Sequence, residues 1–158
     1  MAKIPMTPRG YQALKDELER LKRVERPQNL QDIAEARAHG DLSENAEYSA
    51  AKERQSFIAG RTRDVETQIA DAEVIDTTNM STDKVVFGAT VVMEDTESGH
   101  KKQVTIVGQH EIDLKDGRIS AHSPVGKALI GHRVGDLVTI VAPAKTMEYQ
   151  VLDIRFDR

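Results

Sequence analysis

Cysteine and tryptophan are absent from this chain of 158 residues, and aromatic side chains amount to only 4% of it. Without cysteine there is no disulfide, no thiolate metal ligand and no cysteine nucleophile, which fits a reducing compartment. A continuous apolar stretch long enough to span a membrane is also missing, and residues 1–10 do not contain the apolar core of a signal peptide. We therefore expect a cytoplasmic protein that makes no contact with a membrane.

The chain also lacks a large excess of either positive or negative charge. The chain has 22 lysines and arginines against 26 acidic residues, so its net charge is −4. Binding of nucleic acid draws on clustered lysine and arginine. We therefore expect weak binding of RNA or DNA by the chain alone. Its length allows one ordinary domain or two small ones.

The composition of the chain changes near residue 76. Residues 1–75 are rich in alanine, leucine, glutamate, lysine, arginine and glutamine, which favour helix. Residues 76–158 contain runs of valine, isoleucine and threonine separated by turn-forming residues, a pattern typical of strands. We predict an α+β protein with a helical domain over 1–75 and a mainly β domain over 76–158.

The helical part carries two apolar stripes with the spacing of a coiled coil. The first is Tyr11, Leu14, Leu18 and Leu21, and the second is Ile58, Val65, Ile69 and Ala72. If the helices fold back on each other, the stripes face each other when the turn lies between Gly40 and Ser43, where the residue types also mark a helix end. This predicts an antiparallel hairpin that begins at Thr7 and Pro8, a good N-cap pair. Pro27 should kink or interrupt its first arm.

Two acidic residues, Asp41 and Glu44, lie three positions apart at the predicted tip of the hairpin. The simpler interpretation is that Asp41 or Ser43 caps the second helix while the acids complement its dipole. The alternative is half of a Mg²⁺ site, because this cation prefers carboxylate oxygens and is often held by one or two carboxylates plus substrate phosphates. Spacing alone favours the capping role.

Basic side chains flank the same tip, among them Arg37, Lys52 and Arg54. They are either an ordinary solvated helix surface or a small patch that holds an RNA backbone near the acids. Such a patch is too small for autonomous binding of nucleic acid.

Four segments carry the most specific patterns of the chain. They read IPMTPRGYQALKDELERLK, IAEARAHGDLSENAEYSAAKERQSFIAGR, FGATV and SPVGKALIGHRVGDLVTI. Together they resemble the Gre family of bacterial transcript elongation factors over nearly the whole chain. The resemblance implies a factor that inserts its coiled-coil tip into the secondary channel of RNA polymerase. There it would stimulate the polymerase's own cleavage of the nascent RNA 3′ end in backtracked or arrested complexes, without being an enzyme itself.

The resemblance also implies roles for individual residues. Asp41 and Glu44 match the two acidic tip residues with which the family helps to hold a second catalytic Mg²⁺; this metal is expected only in the complex with polymerase, and none on the isolated chain. Arg37 and Lys52 match the basic patch toward the RNA 3′ segment, where Arg54 would compensate for lysine at a position that some relatives fill with arginine. The small patch favours the less basic of the family's two branches. We expect a monomer.

Further residues of the tip motif are expected to shape it. Gly40 permits a tight turn, and Asn45 braces the loop by side-chain hydrogen bonds. Tyr48 either packs at the tip or touches RNA.

The C-terminal segments resemble the FKBP-like domain of Gre factors, an antiparallel sheet with one short helix. We predict strands over 85–94, 103–108, 111–114, 136–142 and 146–155 and a helix from Pro124 to Ile130 capped by Ser123. In the family this domain grips the polymerase, so the loop of Ser123 and Pro124 is a candidate contact. The Ser-Pro pair is equally well explained as a simple helix start.

Two other functions stay open. One is a Gre-like regulator that occupies the secondary channel and modulates or inhibits polymerase without cleavage, although altered tip acids would be its mark. The other is a chaperone or prolyl isomerase built on the FKBP-like domain. The scarcity of aromatic residues argues against an isomerase pocket.

Overall fold

The computed structural model describes residues 3–40, 45–77 and 82–156, and the chain falls into two compact units. The helical unit comprises the described residues from Tyr11 to Asp71, and the β unit comprises those up to Gly10 together with those from Ala72 onward. Residues 3–10 and 72–75 thus group with the sheet, whereas the sequence placed them with the hairpin. The predicted α+β class is confirmed.

The first arm of the hairpin is helical throughout. It consists of α1, Pro8–Arg20, a π-helical segment, Leu21–Glu25, and α2, Arg26–Ala38. The backbone N–H of Gly10 donates to the hydroxyl oxygen of Thr7 at 3.1 Å, so Thr7 is the predicted N-cap. Within the described residues, no helix is both long and apolar enough to cross a membrane.

Pro27 is the second residue of α2, which follows directly on the π-helical segment. Proline has no N–H and so cannot donate to the carbonyl four residues before it, that of Arg23. Just before the proline, the N–H of Arg26 donates to the carbonyl of Leu21, five residues back, and the helical backbone continues. An interruption at Pro27 does not occur, because the π-helical hydrogen-bonding pattern accommodates the missing donor.

The second arm is a single helix, α3, Ala46–Asp71. The buried side chains of the helical unit form a narrow seam: Leu14, Leu21, Asn29, Ile33, Ala36, Ala51, Ile58 and Val65. Of the predicted stripes, Tyr11, Leu18 and Ile69 are only half-buried. Toward the tip the buried apolar residues are Ala36 and Ala51, so this end of the hairpin buries little apolar area.

Several polar contacts join the arms, and two of them lie in or beside the seam. Asn29 is 4% exposed, and its Nδ2 donates to the carbonyl oxygen of Ala51 at 2.9 Å. Arg61 donates from Nε and Nη2 to the two carboxylate oxygens of Glu17 at 2.6 and 2.7 Å. Because each contact pairs an early residue of one arm with a late residue of the other, the predicted antiparallel hairpin is confirmed.

The β unit contains two sheets. β1, Ile4–Met6, pairs in parallel with β2, Ala72–Val74. The larger sheet consists of β3, Ala89–Asp95, β4, Lys101–Val107, β5, Arg118–Ser120, β6, Leu137–Val141, and β7, Thr146–Phe156. Its order is β5-β4-β3-β7-β6; three of the pairings are antiparallel, and β4 with β5 is parallel. The predicted antiparallel sheet is therefore a mixed one.

One short helix, α4, Pro124–Leu129, packs on this sheet, as predicted. Leu129 of α4 is fully buried among sheet residues. On the edge strand β6, Val138 and Ile140 are buried while Leu137 and Val141 are exposed, which is the period of two expected for a strand with one covered face. Mostly aliphatic side chains thus fill the core of the unit, together with Met93 and Tyr149.

The strand predicted over 111–114 is wrong. Asp113 makes only an isolated bridge to Arg118, and Leu114–Asp116 forms a 3₁₀ turn. The carboxylate of Asp113 accepts from the N–H of Lys115, a local hydrogen bond that favours a turn over a strand. The chain then reverses at Gly117, with φ of 69°, and the strand β5 begins at the next residue.

Within the β unit, a buried carboxylate holds Thr7, the residue that precedes α1. Glu111 has a side chain only 4% exposed, and Oε2 accepts from the backbone N–H groups of Thr7 and Gly108, each at 3.0 Å. Oε1 accepts from the Thr7 hydroxyl and from Arg118, the latter at 3.3 Å. Multiple donors of this kind offset the cost of burying the charge.

Candidate functional site at the hairpin tip

Three of the predicted tip residues, Asp41, Ser43 and Glu44, lie outside the described residues. The described part of the tip consists of the last turn of α2, Gly40, Asn45 and the first turns of α3. These residues set the two ends that the segment 41–44 connects.

Gly40 ends the first arm. The N–H of His39 donates to the carbonyl of Ala36 at 3.2 Å, and that of Gly40 to the carbonyl of Arg37 at 3.3 Å. Gly40 has φ of 105°, a region that favours glycine. A Cβ there would meet no atom of the described structure within 4 Å, so the requirement for glycine comes from the backbone and not from crowding.

Asn45 begins the second arm and binds the first. Its Oδ1 accepts from the N–H of Tyr48 at 3.0 Å, the geometry of an N-cap. Its Nδ2 donates to the carbonyl of Ala36 at 2.8 Å. The cap of α3 is therefore Asn45, and not Asp41 or Ser43 as the simpler interpretation of the sequence had it. One side chain both starts the second helix and fixes its distance from the end of the first.

Arg37 and Tyr48 pack on each other across the arms. The guanidinium carbon of Arg37 lies 5.9 Å from the centroid of the Tyr48 ring, within the range of a cation–π contact. Lys52 follows Tyr48 by one helical turn, and its Nζ lies 2.8 Å from Oε1 of Gln55. Arg37, Tyr48 and Lys52 thus share one side of the hairpin near the tip.

Arg54 is engaged elsewhere. Its Nη2 lies 2.7 Å from Oε2 of Glu25, and its guanidinium stacks 5.1 Å from the centroid of the Phe57 ring. It also lines a groove with acidic residues of both arms, among them Asp32 and Glu47. Because Glu25 neutralises it, Arg54 adds little free positive charge beside Lys52.

Glu47, an acidic residue in the first turn of α3, is also partnered. Glu47 Oε2 lies 3.1 Å from Nδ1 of His39, across the turn. The described ranges contain no group of three histidine, aspartate or glutamate side chains arranged to hold a metal ion. The donor set at Asp41 and Glu44, two carboxylates, is chemically suited to Mg²⁺, which prefers oxygen ligands.

Farther along the hairpin, electrostatics stabilise the packing of the arms. The hydrogen bonds from Arg61 hold the pKa of Glu17 below its ordinary value, against the opposing effect of partial burial. The same hydrogen bonds raise the pKa of Arg61. The pair stays ionised at neutral pH and fixes the arms to each other well away from the tip.

Ser123 and Pro124 form the start of α4. The Oγ of Ser123 accepts from the N–H of Gly126 at 3.0 Å and donates to the carbonyl of Ser120 at 2.7 Å. Pro124 occupies the first helical position. The pair therefore has the structural role of a helix start, and its predicted contact with polymerase stays a prediction.

Two features of the hairpin were not anticipated from the sequence. Asn29 is a buried amide in the seam, and Arg26 and Arg63 line one cavity between α2 and α3. Asn29 lies four residues before the buried Ile33, so helical spacing places both side chains on the seam. This spacing could have identified Asn29 as a buried residue from the sequence. The shared position of the two arginines on one cavity depends on how the arms pair, and no local sequence pattern indicates it.

The chain matches family models over both of its parts. Residues 4–74 match the model described as "Transcription elongation factor, N-terminal", and residues 80–156 match "Transcription elongation factor, GreA/GreB, C-term". The class is thus a two-part transcription elongation factor. The chain belongs to the GreA/GreB family.

Full-length relatives agree with this assignment. The chain is 55% identical to "Transcription elongation factor GreA" of Pelobacter propionicus, with 98% of both chains covered. It is 56% identical to the protein of the same name from Anaeromyxobacter sp., covering 99% of this chain and 94% of the relative. A third, from Alkalilimnicola ehrlichii, is 50% identical over 99% of both. The relatives' names correspond to the expected, less basic GreA branch.

Solved structures of similar proteins include the GreA factor homolog 1 (Gfh1) protein of Thermus thermophilus. That chain is 28% identical, with a TM-score of 0.43 over 97% of this chain and 99% of that chain. A second is the prokaryotic transcription elongation factor GreA/GreB from Nitrosomonas europaea, 22% identical with a TM-score of 0.44 over 98% and 100%.

Proposed function

We propose that this protein binds RNA polymerase, places its hairpin tip in the secondary channel, and stimulates cleavage of the 3′ end of nascent RNA in backtracked or arrested complexes. The observation that carries the proposal is the family match over both parts of the chain, with relatives at 50–56% identity named transcription elongation factors. The tip motif with Asp41 and Glu44 supports the cleavage activity.

The protein would contribute residues to an enzyme without being one. Asp41 and Glu44 would help to hold a Mg²⁺ ion that polymerase carboxylates and RNA phosphates complete. When bound, such an ion supplies an activated water and offsets charge in phosphoryl transfer. Two carboxylates alone bind Mg²⁺ weakly, so activity should require the polymerase.

The described residues of the tip would position these acids. Asn45 holds the start of α3 against the end of α2, and Gly40 lets the chain leave the first arm in a conformation that other residues rarely adopt. The anchor points of the segment 41–44 are therefore fixed before polymerase is bound. Pre-organisation of this kind reduces the entropy lost on assembly of the active site.

The basic side chains beside the tip would contact RNA. Arg37, held against the ring of Tyr48, and Lys52, one turn farther along, present positive charge on one side of the hairpin. A phosphate backbone at this position would be held near the acids. Arg54 would contribute less, because its guanidinium is paired with Glu25.

No observation favours the other candidate functions. A channel-binding regulator without cleavage would be expected to have altered tip acids, and both acids are present here. The proline-isomerase reading has no support in the relatives' names.

The test uses backtracked elongation complexes with labelled nascent RNA. The variants Asp41→Asn and Glu44→Gln keep the size of each side chain and remove its charge. Each should slow factor-stimulated cleavage by roughly two orders of magnitude, because a lost metal ligand removes several kcal/mol of transition-state stabilisation. Asp32→Asn is the matched control, an exposed acid of the same hairpin that accepts a hydrogen bond from Gln28.

Two results would contradict the proposal. Normal cleavage with either tip variant would show that the acids hold no essential metal. Cleavage of free RNA by the wild-type protein, without polymerase, would show that the chain is itself a nuclease.

A further inference from the structure

A cavity of about 530 Å³ opens on one side of the hairpin, between α2 and α3. Its lining includes the apolar side chains of Leu30, Ile58 and Ala59. Leu30 is 47% exposed although it is a large aliphatic residue. The volume lies within the range of about 300–1,000 Å³ that is usual for ligand pockets. The hairpin therefore offers a concave, partly apolar surface away from its tip.

Two arginines border this cavity, Arg26 from α2 and Arg63 from α3. Both are exposed, and among the described residues neither has an ion pair or side-chain hydrogen bond. Other arginines of the hairpin do have carboxylate partners, for example Arg54 with Glu25 and Arg61 with Glu17. The cavity thus combines an apolar surface with two uncompensated positive charges.

We propose that this cavity is a docking site for an acidic segment of RNA polymerase that also presents an apolar side chain. The apolar side chain would cover Leu30 and Ile58, and carboxylates beside it would pair with Arg26 and Arg63. Arginine suits such contacts because its planar guanidinium binds a carboxylate through two hydrogen bonds. The inference rests on the proposed function, in which polymerase surrounds the hairpin.

The chemistry of the lining favours a protein segment over nucleic acid. The lining contains no aromatic ring on which a base could stack. Only two cations border the cavity, whereas nucleic-acid binding draws on larger clusters and on stacking platforms. An apolar surface flanked by arginine is instead the usual composition of a protein interface.

The position along the hairpin separates this cavity from the tip. Arg26 precedes Gly40 by 14 residues, which corresponds to about 20 Å along a helix at 1.5 Å per residue. Arg26 also follows directly on the π-helical segment Leu21–Glu25, and such segments occur frequently at functional sites. A loss of docking here should weaken binding without changing the chemistry at the tip.

The experiment measures two quantities on the same backtracked elongation complexes, the Kd for the factor and the cleavage rate at saturating factor. The double variant Arg26→Glu/Arg63→Glu reverses both charges, and Leu30→Ala shortens the exposed apolar side chain. Arg23→Glu is the matched control, since Arg23 lies on the same arm, is 79% exposed and does not line the cavity. Circular dichroism at 222 nm checks that each variant keeps its helices.

The double variant should raise the Kd at least about tenfold, the equivalent of about 1.4 kcal/mol, and leave the saturated cleavage rate unchanged. Leu30→Ala should raise the Kd by a smaller factor and Arg23→Glu should leave it near the wild-type value. The difference in Kd between the double variant and the wild type should become smaller as the salt concentration rises, because the lost interactions are electrostatic.

An unchanged Kd in the double variant would overturn the docking site while leaving the proposed function intact. A lower saturated rate at unchanged Kd would also overturn it, because the cavity would then act on the chemistry and not on binding. If the double variant lost affinity for a single-stranded RNA oligonucleotide but not for the complex, the ligand would be nucleic acid. Failure of the wild-type protein to bind polymerase would overturn both proposals.

Discussion

Two glycines inside the hairpin helices should respond in opposite ways to the same substitution. Gly60 lies within α3, and a Cβ added there would meet no atom of the described structure within 4 Å. Gly60→Ala should therefore stabilise the protein by about 0.5–1 kcal/mol, because alanine loses less backbone entropy on folding and favours helix.

Gly10 lies in the first turn of α1, against the buried carboxyl group of Glu111. A Cβ at Gly10 would overlap three atoms of that side chain, all closer than 3.0 Å. Glu111 cannot move away without breaking its hydrogen bonds with Thr7, Gly108 and Arg118. Breaking a buried ion pair costs about 3–5 kcal/mol, against a gain of up to about 1 kcal/mol from helix propensity. Gly10→Ala should therefore be destabilising by about 2–4 kcal/mol.

Urea denaturation at pH 7, followed by far-UV circular dichroism, measures both effects as changes in the free energy of unfolding. The two glycines belong to different compact units, so each transition is fitted separately if the curves show two. A double-mutant cycle with Glu111→Ala isolates the effect of the overlap between the added Cβ at residue 10 and the Glu111 side chain. In the Glu111→Ala background, Gly10→Ala should lose most of its destabilising effect, because the overlapping carboxyl group is gone.

A Gly10→Ala variant that is stabilised as much as Gly60→Ala would contradict this prediction. An equal effect of Gly10→Ala with and without the Glu111 side chain would contradict it as well. Either result would mean that the start of α1 is not fixed by this carboxylate.

Two further predictions concern the seam of the hairpin. Glu17 has a lowered pKa in the folded state, so the stabilisation from its pair with Arg61 is present above the ordinary pKa of 4.5 and is lost as pH falls through the folded value. Thermal melts of Glu17→Gln and wild type should differ most above pH 5 and converge in acid; a constant difference would contradict this. Asn29→Ala removes the hydrogen bond to Ala51 and should lower the free energy of unfolding by about 1–2 kcal/mol, measured by urea denaturation. An increase in stability would show that desolvation of the buried amide destabilises the protein by more than its hydrogen bond stabilises it.

The hairpin could be predicted from the sequence because its determinants are local and periodic. Leu14, Leu21, Ile58 and Val65 recur at helical spacing and are buried in the seam. Thr7 precedes a proline, and its capping hydrogen bond from the N–H of Gly10 is local. The family could be inferred for a similar reason, because long motifs at the tip and in the second half of the chain resemble those of the Gre family residue by residue.

Non-local contacts could not be predicted in the same way. Residues 111–114 alternate polar and apolar side chains as a strand does, yet Glu111 turns inward to Thr7, 104 residues away along the chain. The parallel pairing of β4 with β5 likewise depends on a reversal at Gly117. No window of sequence around these residues indicates which distant backbone groups they will meet.

The candidate site shows the same difference between local and non-local determinants. The sequence by itself determined the α+β class and the two helical arms, because helix periodicity and caps are encoded by neighbouring residues. The metal-binding role of Asp41 and Glu44, which lie outside the described residues, stays a prediction from the same sequence. Only the tertiary structure decided that Asn45 joins the two arms, that Glu25 neutralises Arg54, and that Arg26 and Arg63 border one cavity. These contacts depend on the register in which two helices pack, and that register is set by the sum of many weak interactions along the seam.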